Sequence, residues 1–216
     1  MKIELSLLFF VEAIGTIAFA SSGAMVAVKK QMDLLGIIVL GVTTAVGGGM
    51  LRDIIIGNIP PSLFTDPVYV LLAFITVMLL FITVRRNQNF LLECHMASFE
   101  KIMNIFDAIG LGAFTVVGID TAVIAGYGDY HFLIIFLGVI TGVGGGILRD
   151  IMAGQTPNVL KKHIYACASI AGAMLYASLM PHINGNIAML AGAAAVIIIR
   201  LLATRFCWNL PTAVNK

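Results

Sequence analysis

Two arginine–aspartate pairs stand where a charge is hard to place. Arg52 and Asp53 close the stretch GGGMLRD, and Arg149 and Asp150 close GGGILRD, 97 positions later. Both stretches lie in otherwise apolar sequence, and a charge deep in a bilayer costs at least about 2.5–3.5 kcal/mol and marks a functional site by default. Neighbours in a helix point about 100° apart, so each arginine is expected to find a partner other than the next aspartate. The repeat-aligned acids Glu12 and Asp107 supply one, which predicts the pairs Glu12–Arg52 and Asp107–Arg149, with Arg–Asp pairs between the two copies as the rival. Ion pairs that only staple helices together are the plainer reading.

The glycines before each pair, Gly47, Gly48 and Gly49 and then Gly144, Gly145 and Gly146, have poor helix propensity and should bend or unwind a helix. A break of that kind frees carbonyls, tolerated in a membrane only against protein or a water-filled cavity. Freed carbonyls suit cations, which nominates the Gly47 and Gly144 carbonyls as ligands for a monovalent cation. Thr43, Thr44 and Thr141 could add hydroxyls to such a path or bond back to their own helix. The same glycines also form small-residue stripes, Gly41-xxx-Ala45-xxx-Gly49 and Gly138-xxx-Gly142-xxx-Gly146, which serve close helix packing. Pro60 and Pro157 are expected to end the two helices.

Enzymatic chemistry is not indicated. There is no Ser/His/Asp set and no HExxH, and His95, His131, His163 and His182 all fall at span ends. Cys94, Cys167 and Cys207 have neither metal-ligand spacing nor the look of a disulfide framework. No cofactor is expected.

The elements that carry these residues follow from composition. Sixty per cent of the 216 residues are hydrophobic and 11% charged, the mean hydropathy is +1.01, and a soluble domain carries about a quarter charged residues. The apolar runs are long and do not alternate, so helices rather than strands should span the bilayer. Seven spans are predicted: 5–28, 34–56, 68–84, 102–124, 132–153, 164–180 and 187–203. Glu4, Glu12 and the lack of an A-x-A site make the first an uncleaved span. A short interfacial helix is expected near residues 90–96, and Trp208 reads as an interface anchor. With seven spans, Lys and Arg divide 2 against 11 between the two sides. That bias puts the N-terminus outside and the C-terminus in the cytoplasm. A net charge of +2 without a basic tail gives no reason to expect nucleic acid.

The repeat extends beyond the motif. EAIGTIAFASSGAMVA (12–27) aligns with DAIGLGAFTVVGIDTA (107–122), and IIVLGVTTAVGGGMLRDIIIGNIP with IIFLGVITGVGGGILRDIMAGQTP. Spans 1–3 and 4–6 are thus two copies of one unit. Three is odd, so the second copy should enter the membrane inverted, an architecture typical of transport proteins. The fold expected is an all-α integral membrane protein: a first three-helix repeat over 1–86, a cytoplasmic joint over 87–101, an inverted repeat over 102–181, and a seventh helix with its tail over 182–216.

Seven spans, an inverted repeat and the doubled GGGxLRD resemble the TRIC (trimeric intracellular cation) channel superfamily, most nearly its prokaryotic branch, whose members are often labelled glycine-transporter-domain proteins. The resemblance implies a homotrimer in the cell inner membrane among lipids, with one pore per protomer between kinked spans 2 and 5, passing potassium and also sodium. It makes the six motif glycines the kinks and Arg52, Asp53, Arg149 and Asp150 the charges near the pore. Animal members carry a Lys-Glu-Val element in span 4; here the nearest tripeptide is Thr121-Ala122-Val123. A secondary transporter for a small zwitterion such as glycine is the competing reading, because a broken helix also offers an N-terminal half-helix end to a carboxylate.

Overall fold

The computed structural model describes residues 7–86, 96–161 and 164–208. The part of the expected interfacial helix before Met96, together with Cys94, His95 and His163, lies outside them. Among the described residues the chain is helical, with the elements α1 (Leu7–Lys29), α2 (Leu34–Ile56), α3 (Ser62–Thr65), α4 (Val68–Arg86), α5 (Met96–Ala122), α6 (His131–Met152), α7 (Asn158–Lys161), α8 (Ala166–Leu179) and α9 (Gly185–Arg205). A π-helical turn, Val123–Tyr127, prolongs α5 and contains a left-handed residue, Gly126, with φ 91°. Six helices are long and apolar enough to cross a membrane, and α8 is a shorter apolar helix of 14 residues.

Span ends follow local capping rules. Asp33 caps α2 by accepting from the Gly36 amide at 2.7 Å. Gly57 and Gly154 close α2 and α6 with φ of 78° and 66°, a left-handed turn that glycine enters without a Cβ clash. Helix termination therefore belongs to these glycines, and Pro60 and Pro157 come three residues later. Pro157 directly precedes α7.

The centre is a four-helix group in which α1 packs on α2 and α5, and α6 on α2 and α5. Around it, α4 covers α1 and α2, α8 covers α5 and α6, and α9 lies on α5 and α8. Exchanging α1, α2 and α4 for α5, α6 and α8 leaves the pattern of contacts among these six helices unchanged, and α9 has no counterpart in the first set. Lipid is as apolar as leucine, so close backbone approach rather than hydrophobicity must hold such helices together. Small residues permit it: a Cβ on Gly41 would stand 3.2 Å from the Ala20 carbonyl, and one on Gly138 2.7 Å from the Thr115 carbonyl. Phe19 and Phe114, another aligned pair, meet between the two halves with ring centroids 5.3 Å apart.

The expected helix breaks are not formed. Both α2 and α6 run without interruption through their glycine triplets. The Gly47 and Gly144 carbonyls remain in the helical ladder and are not free to ligate a cation. The physical reason lies in packing. A Cβ on Gly48 would run into the Thr141 carbonyl and one on Gly145 into the Thr44 carbonyl, so the middle glycines let α2 and α6 touch backbone to backbone. That approach offsets the roughly 1 kcal/mol per glycine that a helix interior loses, and an unbroken ladder leaves no carbonyl unsatisfied in hydrocarbon.

Candidate functional site: two buried arginine clusters and an acidic cavity

Each motif builds the same local clamp. Arg52 Nε donates to Asp53 Oδ1 at 2.9 Å, and Arg149 Nε donates to Asp150 Oδ1 at 2.9 Å. The second carboxylate oxygen holds the short helix that follows: Asp53 Oδ2 accepts from the Ser62 amide at 2.8 Å, and Asp150 Oδ2 from the Asn158 amide at 2.7 Å. The expectation that neighbouring Arg and Asp would not pair is thus corrected. Their Cα–Cβ bonds diverge, but the arginine stem is long enough to wrap around the helix, and a low-dielectric site strongly favours the contact. All four groups are at most 4% exposed.

Beyond the clamp the two arginines differ. Arg149 Nη1 reaches Asp107 Oδ1 at 2.6 Å and Ser22 Oγ at 2.6 Å, joining α6 to α5 and α1. The Tyr165 hydroxyl donates to the same Asp107 oxygen at 3.3 Å. The Asp107–Arg149 pair is formed as expected. Arg52 Nη1 instead donates to Thr121 Oγ1 at 3.2 Å, and its one ion pair among the described residues is with Asp53. The expected Glu12–Arg52 pair is not formed. Glu12 instead shares a cavity wall with Tyr69, whereas Asp107 accepts from the Tyr165 hydroxyl.

Where the second cluster is closed, the first is open. A cavity of about 220 Å³ lies between α1, α2 and α4, with Glu12, Asp66, Tyr69, Gly49 and Arg52 in its wall. Phe114 also lines it, its ring tilted against that of Phe19. The glycines sort by position. Gly47 and Gly144 each face the other copy's leucine, Leu148 and Leu51. Gly146 makes room for the Tyr165 hydroxyl, 2.7 Å from where its Cβ would be. Gly49 meets only Arg52 Nη2, at 3.7 Å. Thr44 and Thr141 turn their hydroxyls back to the Leu40 and Leu137 carbonyls at 2.6 and 2.5 Å, and both are fully buried. Thr43 lies in an apolar groove between α2 and α4.

Several participants were missed in the sequence. Tyr69 and Tyr165 stand 96 positions apart, close to the repeat offset, and could have been found by carrying the alignment further. Arg200 lies inside the seventh span and was counted only for orientation; the rule that flagged Arg52 applies to it equally. It is 3% exposed, its guanidinium sits 4.7 Å above the Tyr165 ring, and its Nε has no hydrogen-bond partner.

Comparison with known proteins gives this architecture a context. A family model described as "Glycine transporter" matches residues 9–85 and again 104–181. A UPF0126 membrane protein of Deinococcus radiodurans is 37% identical over 206 residues, covering 94% of this chain and 91% of its own length. The UPF0126 inner membrane protein YadS of Escherichia coli K12 is 36% identical over 208 residues, 95% of this chain and 96% of its own. Among solved structures, the TRIC trimeric intracellular cation channel orthologue from Rhodobacter sphaeroides superposes with a TM-score of 0.82 at 32% identity, covering 92% of this chain and 97% of that one. The matched structures are ion channels, not enzymes.

Proposed function

This chain belongs to the glycine-transporter-domain family that includes the prokaryotic TRIC channels, and from that membership we propose that it is a multi-pass channel for monovalent cations, potassium and also sodium. The observation that carries this reading is the cavity on the glycine face of α2, where the carboxylates of Glu12 and Asp66 stand beside Tyr69 and Arg52. Acidic groups in a pore mouth concentrate cations and exclude anions. Gly49 leaves the wall open there. The Arg149 cluster, with α1, α5 and α6 tied to one guanidinium, closes the other half, so the arrangement corresponds to a non-conducting state.

α2 and α6 of one protomer contribute to the wall of its pore, which the acidic cavity enters beside α2; each protomer has its own, and three protomers form the particle in the bacterial inner membrane. The 2-against-11 basic asymmetry supports an outer N-terminus and, with it, an acidic cavity on the outer side. The doubled family match and the exchangeable helix contacts support two inverted three-helix units, with α8 and α9 completing seven spans. The competing zwitterion transporter drew on half-helix ends, which the continuous α2 and α6 do not supply.

Liposome flux of potassium, sodium and glycine, normalised to folded protein and run beside planar-bilayer recording, tests the proposal. Stepwise potassium conductance is expected. Glycine uptake without conductance steps would replace the channel with the transporter.

A further inference from the structure

A second polar cavity, of about 330 Å³, lies at the opposite end of the bundle from the acidic one, and its wall is basic. Lys29, Lys30 and Arg200 line it together with Glu100, and the amide side chains of Asn104, Gln155 and Asn158 complete it. Glu100 is committed to Lys29, whose ammonium is 2.6 Å away. Among the described residues no carboxylate lies within 4 Å of Lys30 or Arg200. Arg200 is the decisive group. It is almost completely buried, Nη1 bonds only to Thr204 Oγ1, and Nε keeps an N–H with no acceptor. A buried guanidinium donor without an acceptor is costly to keep, and it is the group best suited to a planar or tetrahedral oxyanion.

We propose that this cavity is a binding site for a phosphate-class oxyanion, held by Arg200 and Lys30 and completed by the amide donors. Three cations against one paired carboxylate disfavour a cation or a zwitterion there. The volume holds an oxyanion with several waters, at roughly 30 Å³ per water. The shared chemistry fits free inorganic phosphate and the phosphodiester of an anionic lipid headgroup, since Lys29 and Lys30 sit at the end of a span. The cavity adjoins the Arg149 cluster through two residues: Asn158 is bonded to Asp150, and Arg200 stacks on Tyr165. The assignment stands on this cavity alone and does not need the channel reading.

The test uses the full chain in detergent, titrated with potassium phosphate against potassium chloride at matched ionic strength. Melting temperature and calorimetric affinity are the readouts. A saturable rise in melting temperature with phosphate over chloride is expected. Lys30→Gln, at an exposed position, should weaken phosphate about tenfold, the effect of losing one charge-assisted hydrogen bond. Arg200→Lys, which keeps the charge and removes the Nε donor, should weaken it at least as much. Lys101→Gln, an exposed lysine of α5 that does not line the cavity, should change nothing. Nanodiscs then separate the sources: an apparent phosphate affinity lower with about one-fifth phosphatidylglycerol than with phosphatidylcholine alone identifies the headgroup, and equal affinities identify the free ion. No saturable phosphate effect, or equal weakening by Lys101→Gln and Lys30→Gln, overturns the proposal.

Discussion

Arg149 and Arg52 occupy equivalent places in sequence but carry different loads, and substitution should separate them. Arg149 is the only cation within 4 Å of Asp107 among the described residues, so its loss strands a buried carboxylate. Breaking such a pair costs about 3–5 kcal/mol. Arg149→Ala should therefore lower the melting temperature sharply, and Asp107→Asn in the same chain should restore part of the loss. A double-mutant cycle on denaturation free energy reads the coupling directly. The same cycle on Glu12 and Arg52 should show coupling of well under about 1 kcal/mol, because Arg52 is held by Asp53 and Thr121 and not by Glu12. A coupling at 12/52 as large as at 107/149 would mean that the two clusters close alike. Asp53 and Asp150 should each be intolerant of Ala, since one carboxylate serves an arginine and a short helix at once.

Between elements, the three glycines of a triplet should respond to substitution by position. Gly48→Ala and Gly145→Ala each push a methyl into a carbonyl of the facing helix. Overpacking of that kind costs about 1–3 kcal/mol, and here the obstacle is backbone and cannot rotate away. Gly49→Ala adds a methyl 3.7 Å from Arg52 Nη2, an ordinary contact distance, and recovers up to about 1 kcal/mol of helix propensity. It should leave the melting temperature level or raise it, and at the same time reduce potassium flux per folded protein, because the methyl projects into the acidic cavity. Thermal melts paired with liposome flux test both halves. Unchanged flux in Gly49→Ala would remove this cavity from the path.

For the whole molecule, the expected particle is a trimer of the 23.0 kDa chain, which native mass spectrometry of the detergent-solubilised protein measures directly. The apolar face of α4 is consistent with burial against protein or lipid, with Leu71 and Leu79 about three-fifths exposed in the single chain. Orientation has its own check. A cysteine placed at Lys30 should label only from the cytoplasmic side; labelling from outside would reverse the basic-bias argument and with it the side on which Glu12 meets cations.

Much of this was legible in the chain itself. Apolar runs of about twenty residues can satisfy their backbone in lipid only as helices, so the six long helices were readable from the sequence, Leu34–Ile56 with the bounds it has, while the run at 164–180 forms the shorter helix Ala166–Leu179. The doubled GGGxLRD foretold two like local arrangements, and the same Arg–Asp clamp forms at both, because the signal is covalent and local. Alignment of the repeat's acids was enough to pair Asp107 with Arg149, though not Glu12 with Arg52. Local rules failed where a third partner intervened. Poor helix propensity argued for a break at the glycines, yet the facing helix used their missing side chains to come close, and continuity won. Angular separation argued against Arg52–Asp53, yet a long side chain in a medium without water bends to the nearest carboxylate. The two GGGxLRD motifs are nearly identical as text, and only the packed molecule made one closed around Arg149 and left the other open at Glu12, because that difference rests on contacts among four helices and on no single stretch of chain.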